Sequence, residues 1–237
     1  MYIGSSGWAY PSWKPDFYPA KLAPKKLLEY YATRLNSVEV NYTFRTLPAR
    51  NTVESWLEQS GPDFRFSCKA PQRITHLQRL KNCGPSLEGL ADALRPVAKA
   101  GKLGLVLFQL PPNMRAEPER LTMFLREAAP LGMRLAFEFR HPSWFEPAIY
   151  RLLEDHQAAL CVAESDELQT PDFPTAPFSC YRFRRSDYSE VQLDAIRDLL
   201  LERASRGDVF AYFKHEEAPT GALRAAAVLA AIRERAS

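Results

Sequence analysis

Glu138 and Arg140 alternate with Phe137 and Phe139 in a stretch that runs on through His141, Pro142 and Ser143 to Trp144. That spacing puts a carboxylate and a guanidinium on one face of a strand and two rings on the other. A carboxylate can move a proton or balance a cation, and a guanidinium can grip a carboxylate or phosphate through two parallel hydrogen bonds. The stretch lies between two helix-like segments, and strands so placed are usually buried on both faces. A charged face in such a strand must be paired internally or serve a ligand.

The pattern recurs along the chain. Glu39 and Asn41 share a face opposite Val38 and Val40, and Lys69 lies opposite Phe64, Phe66 and Cys68. Gln109 ends the Leu103, Leu105, Leu107 face. Arg182 and Arg184 oppose Tyr181 and Phe183, and Lys214 continues the Phe210, Tyr212 face. The polar residue mostly stands at the C-terminal end of its strand. Turned inward, Glu39, Asn41, Lys69, Gln109, Glu138, Arg140, Arg182 and Lys214 surround one cavity. Its four cations outnumber its two carboxylates, which calls for an anion such as a phosphate or carboxylate. On this reading Glu138 is a general base or acid with Glu39 as its partner. Lys69, Arg140 and Arg182 hold the anion, Asn41 and Gln109 orient it, and Lys214 completes the cationic set. The competing expectation is an ionic network that satisfies itself, as barrel mouths often contain.

His141 stands at a strand-to-loop transition, where it either relays a proton or caps the next turn. His76 follows Thr75 in a long loop and is expected to overhang the same rim. His215 points away from the cavity by parity, and His156 is structural. A divalent metal needs several inward Asp, Glu or His ligands; two carboxylates beside cations do not make that set, so no metal ligand is assigned, and no cofactor is specified. Trp8, Tyr10, Trp13, Tyr42, Phe44 and Trp144 fall in or near rim loops, either stacking on a ligand or covering the core. Trp8 is counted with the ligand-contacting residues.

The elements that position these groups follow from periodicity. Strands are expected over residues 2–6, 37–41, 64–69, 103–109, 135–140, 159–163, 178–183 and 209–213. Helical patterns fall over 25–34, near 51–57 with Asn51 as cap, over 86–100 with Ser86 as cap, and over 117–129, 145–156, 189–205 and 222–235. Residues 164–177 are turn-rich and lack a full helix. Eight strands separated by helices, with no linker-like boundary, specify a single α/β domain over residues 1–237. Its fold is a TIM-like (β/α)8 barrel with the helix between the sixth and seventh strands missing or shortened. The length, 237 residues, is close to the roughly 250 typical of that fold. An open doubly wound sheet is the competitor, and the convergence of polar strand ends favours the barrel.

A formal net charge of +3 is too small to imply nucleic acid as a partner. The nearest approach to a basic stripe is Arg182-Phe183-Arg184-Arg185. No apolar run approaches the roughly 18 residues that span a bilayer, and no targeting segment is evident, so a cytoplasmic location without membrane association is expected. Cys68, Cys83, Cys161 and Cys180 are widely spaced and read as buried, reduced thiols.

The chain resembles the YecE-like family, also called domain of unknown function 72. The residues that carry the resemblance are Gly4-Ser5-Ser6-Gly7-Trp8-Ala9-Tyr10 with Trp13 and Phe17-Tyr18-Pro19, Val38-Glu39-Val40-Asn41-Tyr42-Thr43-Phe44 and Phe64-Arg65-Phe66-Ser67-Cys68-Lys69. They continue through Ile74-Thr75-His76, Gln109-Leu110-Pro111-Pro112 and Glu138-Phe139-Arg140-His141-Pro142-Ser143-Trp144. The resemblance implies a TIM-barrel fold and a pocket, and no particular reaction. The last third departs from the family pattern of an Asp after the sixth strand and an Asn-Asn-Asp-like run after the eighth. Here those places read Ala163-Glu164-Ser165-Asp166 and Phe213-Lys214-His215-Glu216-Glu217, which implies a more anionic ligand or a lost activity. Three functions remain open. The first is an enzyme acting on a small phosphorylated or carboxylated substrate at the rim. The second is a metal-dependent nucleic-acid-processing enzyme, and the third a non-catalytic small-molecule sensor or adaptor.

Overall fold

The computed structural model describes residues 1–165, 169–214 and 218–235. Asp166, His215, Glu216 and Glu217 of the sequence reading lie outside the described residues. The strands are β1 (Tyr2–Ser5), β2 (Ser37–Val40), β3 (Arg65–Lys69), β4 (Leu103–Gln109), β5 (Leu135–Glu138), β6 (Ala159–Glu164), β7 (Phe178–Phe183) and β8 (Asp208–Phe213). The helices are α1 (Leu27–Arg34), α2 (Arg50–Glu58), α3 (Gly84–Lys99), α4 (Pro118–Ala128), α5 (Pro147–Asp155), α6 (Glu190–Ala204) and α7 (Thr220–Arg235). Each strand pairs in parallel with its neighbours in the order β1-β8-β7-β6-β5-β4-β3-β2. A single parallel bridge between Ser6 and Glu39 joins the two remaining edges. The result is an eight-stranded α/β barrel.

Alternation along the strands divides the core in two. Leu105, Leu107, Ala136, Ala159, Cys161, Phe178, Cys180, Phe210 and Tyr212 fill the barrel interior. Val38, Phe66, Val106, Phe108, Phe137, Phe183, Ala211 and Phe213 face outward and join the larger core. Helix starts differ from expectation at two places. Ala49 and Cys83 are the N-cap residues of α2 and α3, and neither makes a side-chain cap bond. Pro85, lacking an N–H, fits the first turn of α3, so that helix begins ahead of Ser86. Ser86 donates instead to Gln78 Oε1 at 2.9 Å. The Ser189–Gln192 capping box at α6 is formed.

Among the described residues no helix lies between β6 and β7. Residues 169–177 act as a strap: Phe173 stacks on Tyr150 of α5 at 4.7 Å. Thr175 Oγ1 accepts from Leu160 N at 2.8 Å and donates to Ala158 O at 2.7 Å. Among the described residues no helix is long and apolar enough to cross a membrane.

The seam between β1 and β2 has one backbone bridge, and side chains supply what the ladder lacks. Ile3 N donates to Asn36 Oδ1 at 2.8 Å, and Asn36 Nδ2 returns a bond to Met1 O at 2.9 Å. Tyr31 OH accepts from Ser5 N at 2.8 Å and donates to Ser37 O at 3.0 Å. Inside the barrel the Ser37 hydroxyl meets Tyr212 OH at 2.8 Å, and Tyr212 OH meets Ser67 Oγ at 2.6 Å. This close approach requires glycine at position 4, where an added Cβ would stand 1.9 Å from Ser37 O. Because the obstacle is backbone, Gly4→Ala must part the seam. It is expected to remove about 3 kcal/mol or more of stability, read as the shift in urea midpoint at unchanged slope.

Candidate functional site

Glu39 from β2, Glu138 from β5 and Arg182 from β7 meet at the C-terminal end of the barrel, all three almost wholly buried. Parallel strands all end on this side, so their last inward residues converge. Arg182 donates to Glu39 through Nε (2.8 Å, to Oε2) and Nη2 (2.7 Å, to Oε1), a two-point grip. Its Nη1 donates to Glu138 Oε2. Glu39 Oε1 also accepts from Ser6 Oγ at 2.8 Å. Glu138 Oε1 accepts from Gln109 Nε2 at 2.7 Å and from Arg140 Nε at 2.9 Å. Gln109 Oε1 then accepts from Lys69 Nζ at 2.8 Å. A continuous path of polar contacts thus runs Ser6, Glu39, Arg182, Glu138, Gln109, Lys69.

Burial alone would raise both carboxyls. The charge of Arg182 and its hydrogen bonds override that effect, holding Glu39 below the ordinary carboxylate range and, with Arg140, Glu138 down at about 2. Arg182 is in turn held charged: burial opposes its positive form, and the two carboxylates more than restore it. The expectation from strand parity is that Glu138 is a general base or acid with Glu39 as its partner. In the folded chain both are ionised and engaged, so neither supplies a proton near neutrality. Lys69 differs. Burial first, then the Arg182 charge, bring its amine down to about 8 against the pull of Glu39 and Glu138.

Around this network the remaining candidates sort themselves. Arg140 is one-third exposed and faces a cavity of about 450 Å³ that it lines with Pro112, Glu138, Glu164 and Arg184. Arg184 is half-buried, and among the described residues its guanidinium has neither hydrogen bond nor ion pair. His76 stands edge-on to Phe44 at 5.1 Å, and Phe44 presents its ring face to Lys69 Nζ at 4.2 Å. Burial, followed by the charges of Lys69, Arg140 and Arg79, lowers the His76 pKa, and its Nδ1 shares a proton with Thr75 Oγ1 at 2.8 Å. His141 Nδ1 accepts from Ser143 N at 3.2 Å and meets Ser143 Oγ at 2.9 Å, the capping arrangement.

Three residues lie apart from the network. Asn41 follows β2 in a helical conformation and opens a short turn, so strand parity no longer governs its direction. Lys214 follows β8 and lines a space with Arg185, Ser186, Thr220 and Arg224 near the start of α7. Trp8 packs edge-on against Trp56 of α2 at 5.8 Å, in a space lined by Pro24, Leu28 and Ser55, on the helical layer. Trp144 is core, stacked on Phe139 at 4.4 Å with its Nε1 donating to Met114 O at 2.7 Å. Ser6, Phe44 and Arg184 belong with the site without having been assigned to it. Parity places Arg184 on the face of Arg182, as the sequence shows, and would have found Ser6, which continues the inward face of Tyr2 and Gly4. Among the described residues no three His, Cys, Asp or Glu side chains are grouped to hold a metal.

The chain belongs to the family described as "Protein of unknown function DUF72", whose model matches residues 2–237. It is similar to UPF0759 protein YunF of Bacillus subtilis, 35% identical over 156 residues that cover 63% of this chain and 54% of that protein. UPF0759 protein YecE of Escherichia coli is 30% identical over 145 residues, 61% of this chain and 50% of that one. The chain therefore spans about half the length of these two relatives. A crystal structure of a DUF72 family protein from Thermotoga maritima has a TM-score of 0.86 at 24% identity, covering 98% of both chains. D-psicose 3-epimerase from Clostridium cellulolyticum shares the fold alone, with a TM-score of 0.57 at 9% identity over 99% of both chains.

The clamp makes two predictions. Arg182→Leu leaves two carboxylates buried without their cation, and is expected to lower stability by about 3–5 kcal/mol at neutral pH in urea unfolding. The pH dependence follows from the lowered pKa values. A carboxyl held down in the folded chain contributes stability above its ordinary value near 4.5 and loses it as pH falls from there toward about 2. The unmodified protein should therefore weaken across that window, and Glu138→Gln should flatten the slope there. Arg182→Leu should instead regain stability as pH falls toward about 4.5 from above, where its unpaired buried carboxylates take up protons.

Proposed function

We propose that the protein is an enzyme acting on a small anionic substrate, phosphorylated or carboxylated, bound at the C-terminal mouth of the barrel. The observation that carries this reading is the charge balance. Arg182 occupies both buried carboxylates, while Lys69 and Arg184 have no carboxylate partner among the described residues. Arg184 and Arg140 line one cavity. An anion there neutralises the surplus without displacing the buried pairs, and two guanidiniums offer it bidentate contacts. Lys69 is the group suited to moving a proton, because its pKa of about 8 lies near working pH. Glu39 and Glu138 fix Arg182 and set the field, and Gln109 transmits their position to Lys69.

A second reading, a non-catalytic sensor or adaptor built on the same pocket, is favoured by one feature: both carboxylates are locked. Binding is common to the two readings and turnover separates them. The first test is thermal stabilisation by inorganic phosphate and small carboxylates at constant ionic strength. Stabilisation beyond that given by chloride is expected, and Arg184→Ala should weaken it at least about tenfold, or about 1.4 kcal/mol. Affinity should fall as pH rises through about 8, where Lys69 loses its charge. Equal shifts from chloride and phosphate, or an unaltered response in Arg184→Ala, would remove the anion site.

A further inference from the structure

We propose that Lys69 is a covalent amine, whose Nζ condenses with the carbonyl carbon of a small aldehyde or ketone carrying a carboxylate or phosphate held by Arg140 and Arg184. This deepens the anion-site reading and rests on it for the grip on the substrate.

The surroundings of Lys69 are those of a lysine kept available as a nucleophile. Its one hydrogen bond among the described residues goes to the neutral amide oxygen of Gln109, and it forms no ion pair there. A lysine meant only to balance charge would sit on a carboxylate, and two carboxylates stand nearby. Arg182 and Arg140 occupy them instead. Glu39 on β2, Glu138 on β5, Arg140 beyond it and Arg182 on β7 all act on the amine, the guanidiniums against its charge and the carboxylates for it. His76, from the turn 73–77, stands on the other side of Phe44. Burial of the amine and the Arg182 charge prevail, so a usable fraction is neutral near pH 8. Desolvation and a neighbouring cation are the two devices that make a lysine nucleophilic.

Position supports the same role. Lys69 is the last residue of β3, part-exposed at the rim, with its Nζ placed between Gln109 Oε1 and the Phe44 ring. One amide and one carboxylate separate its Nζ from Arg140 Nε. A ligand whose anionic end is held by the guanidiniums must therefore reach past Glu138, which lines their cavity, to bring its carbonyl to the amine.

The step balances without an oxidant. The nitrogen lone pair forms a C–N bond as the carbonyl π pair moves to oxygen. A proton passes from nitrogen to that oxygen, giving a carbinolamine. Loss of water, with a second proton, leaves the C=N bond. Both protons can pass through solvent, because Lys69 is part-exposed at the rim.

The test uses the full chain with pyridoxal 5′-phosphate, here only as a phosphate-bearing aldehyde probe, followed by borohydride and peptide mapping of every modified lysine. A pKa near 8 in place of 10.5 gives on the order of a hundredfold more neutral amine at a given pH below both. Lys69 should be labelled at least about tenfold faster than exposed Lys26 or Lys99, with a rate rising through about pH 8 and slowed by inorganic phosphate. Lys69→Arg keeps the charge and should remove the fast phase alone. Labelling of Lys69 no faster than of Lys26 and Lys99 would overturn the proposal. If phosphate stabilises the fold while Lys69 stays slow, the covalent step falls and the anion site stands. Fast labelling that phosphate does not slow sinks the anion site and leaves the reactive amine.

Discussion

Arg182 is the constraint on which the mouth of this barrel depends. Its guanidinium binds two carboxylates from strands on different sides of the barrel, Glu39 on β2 and Glu138 on β5, with all three groups buried. Such a cluster gains little stability over a well-packed apolar core, yet removing one member leaves charges that burial makes very unfavourable. The clamp therefore acts as a requirement: once the chain folds this way, the three groups must stay together. What it leaves over is chemical. With both carboxylates engaged, Lys69 and Arg184 have no carboxylate partner among the described residues.

The clamp works because the barrel around it is held in register. Glu39 also makes the single backbone bridge that closes the barrel, through Ser6, whose hydroxyl donates to the same carboxylate. Tyr31, Asn36 and the close approach at Gly4 hold that seam from below. Tyr212 ties Ser37 to Ser67 across the interior. Closure and site assembly are therefore coupled: loosening the seam moves Glu39, and moving Glu39 loosens Arg182.

Much of this was legible in the sequence, because parity along a strand is a strict rule. Glu39, Lys69, Gln109, Glu138 and Arg182 each alternate with apolar neighbours, and the structure turns each of them inward at the same end. The rule fails where the backbone leaves the extended conformation, as at Asn41, which turns helical directly after β2. Trp8 was not legible either: an aromatic in a rim loop packs wherever the largest apolar surface lies, which here is Trp56. Which cation would take which carboxylate was beyond sequence altogether. Composition gave an excess of positive charge, but only geometry shows that Arg182 holds both acids and leaves Lys69 on a neutral amide.

Arg182 is the shared partner of Glu39 and Glu138, and its charge holds both carboxyls below the ordinary range. Carbon-13 NMR titration of their side-chain carboxyl carbons, assigned by Glu39→Gln and Glu138→Gln, measures this directly. Neither resonance should titrate between about pH 5 and 9, and Glu138 should begin to protonate only as the pH falls toward about 2. A midpoint near neutrality for either carboxyl would contradict the account and return proton transfer to that residue.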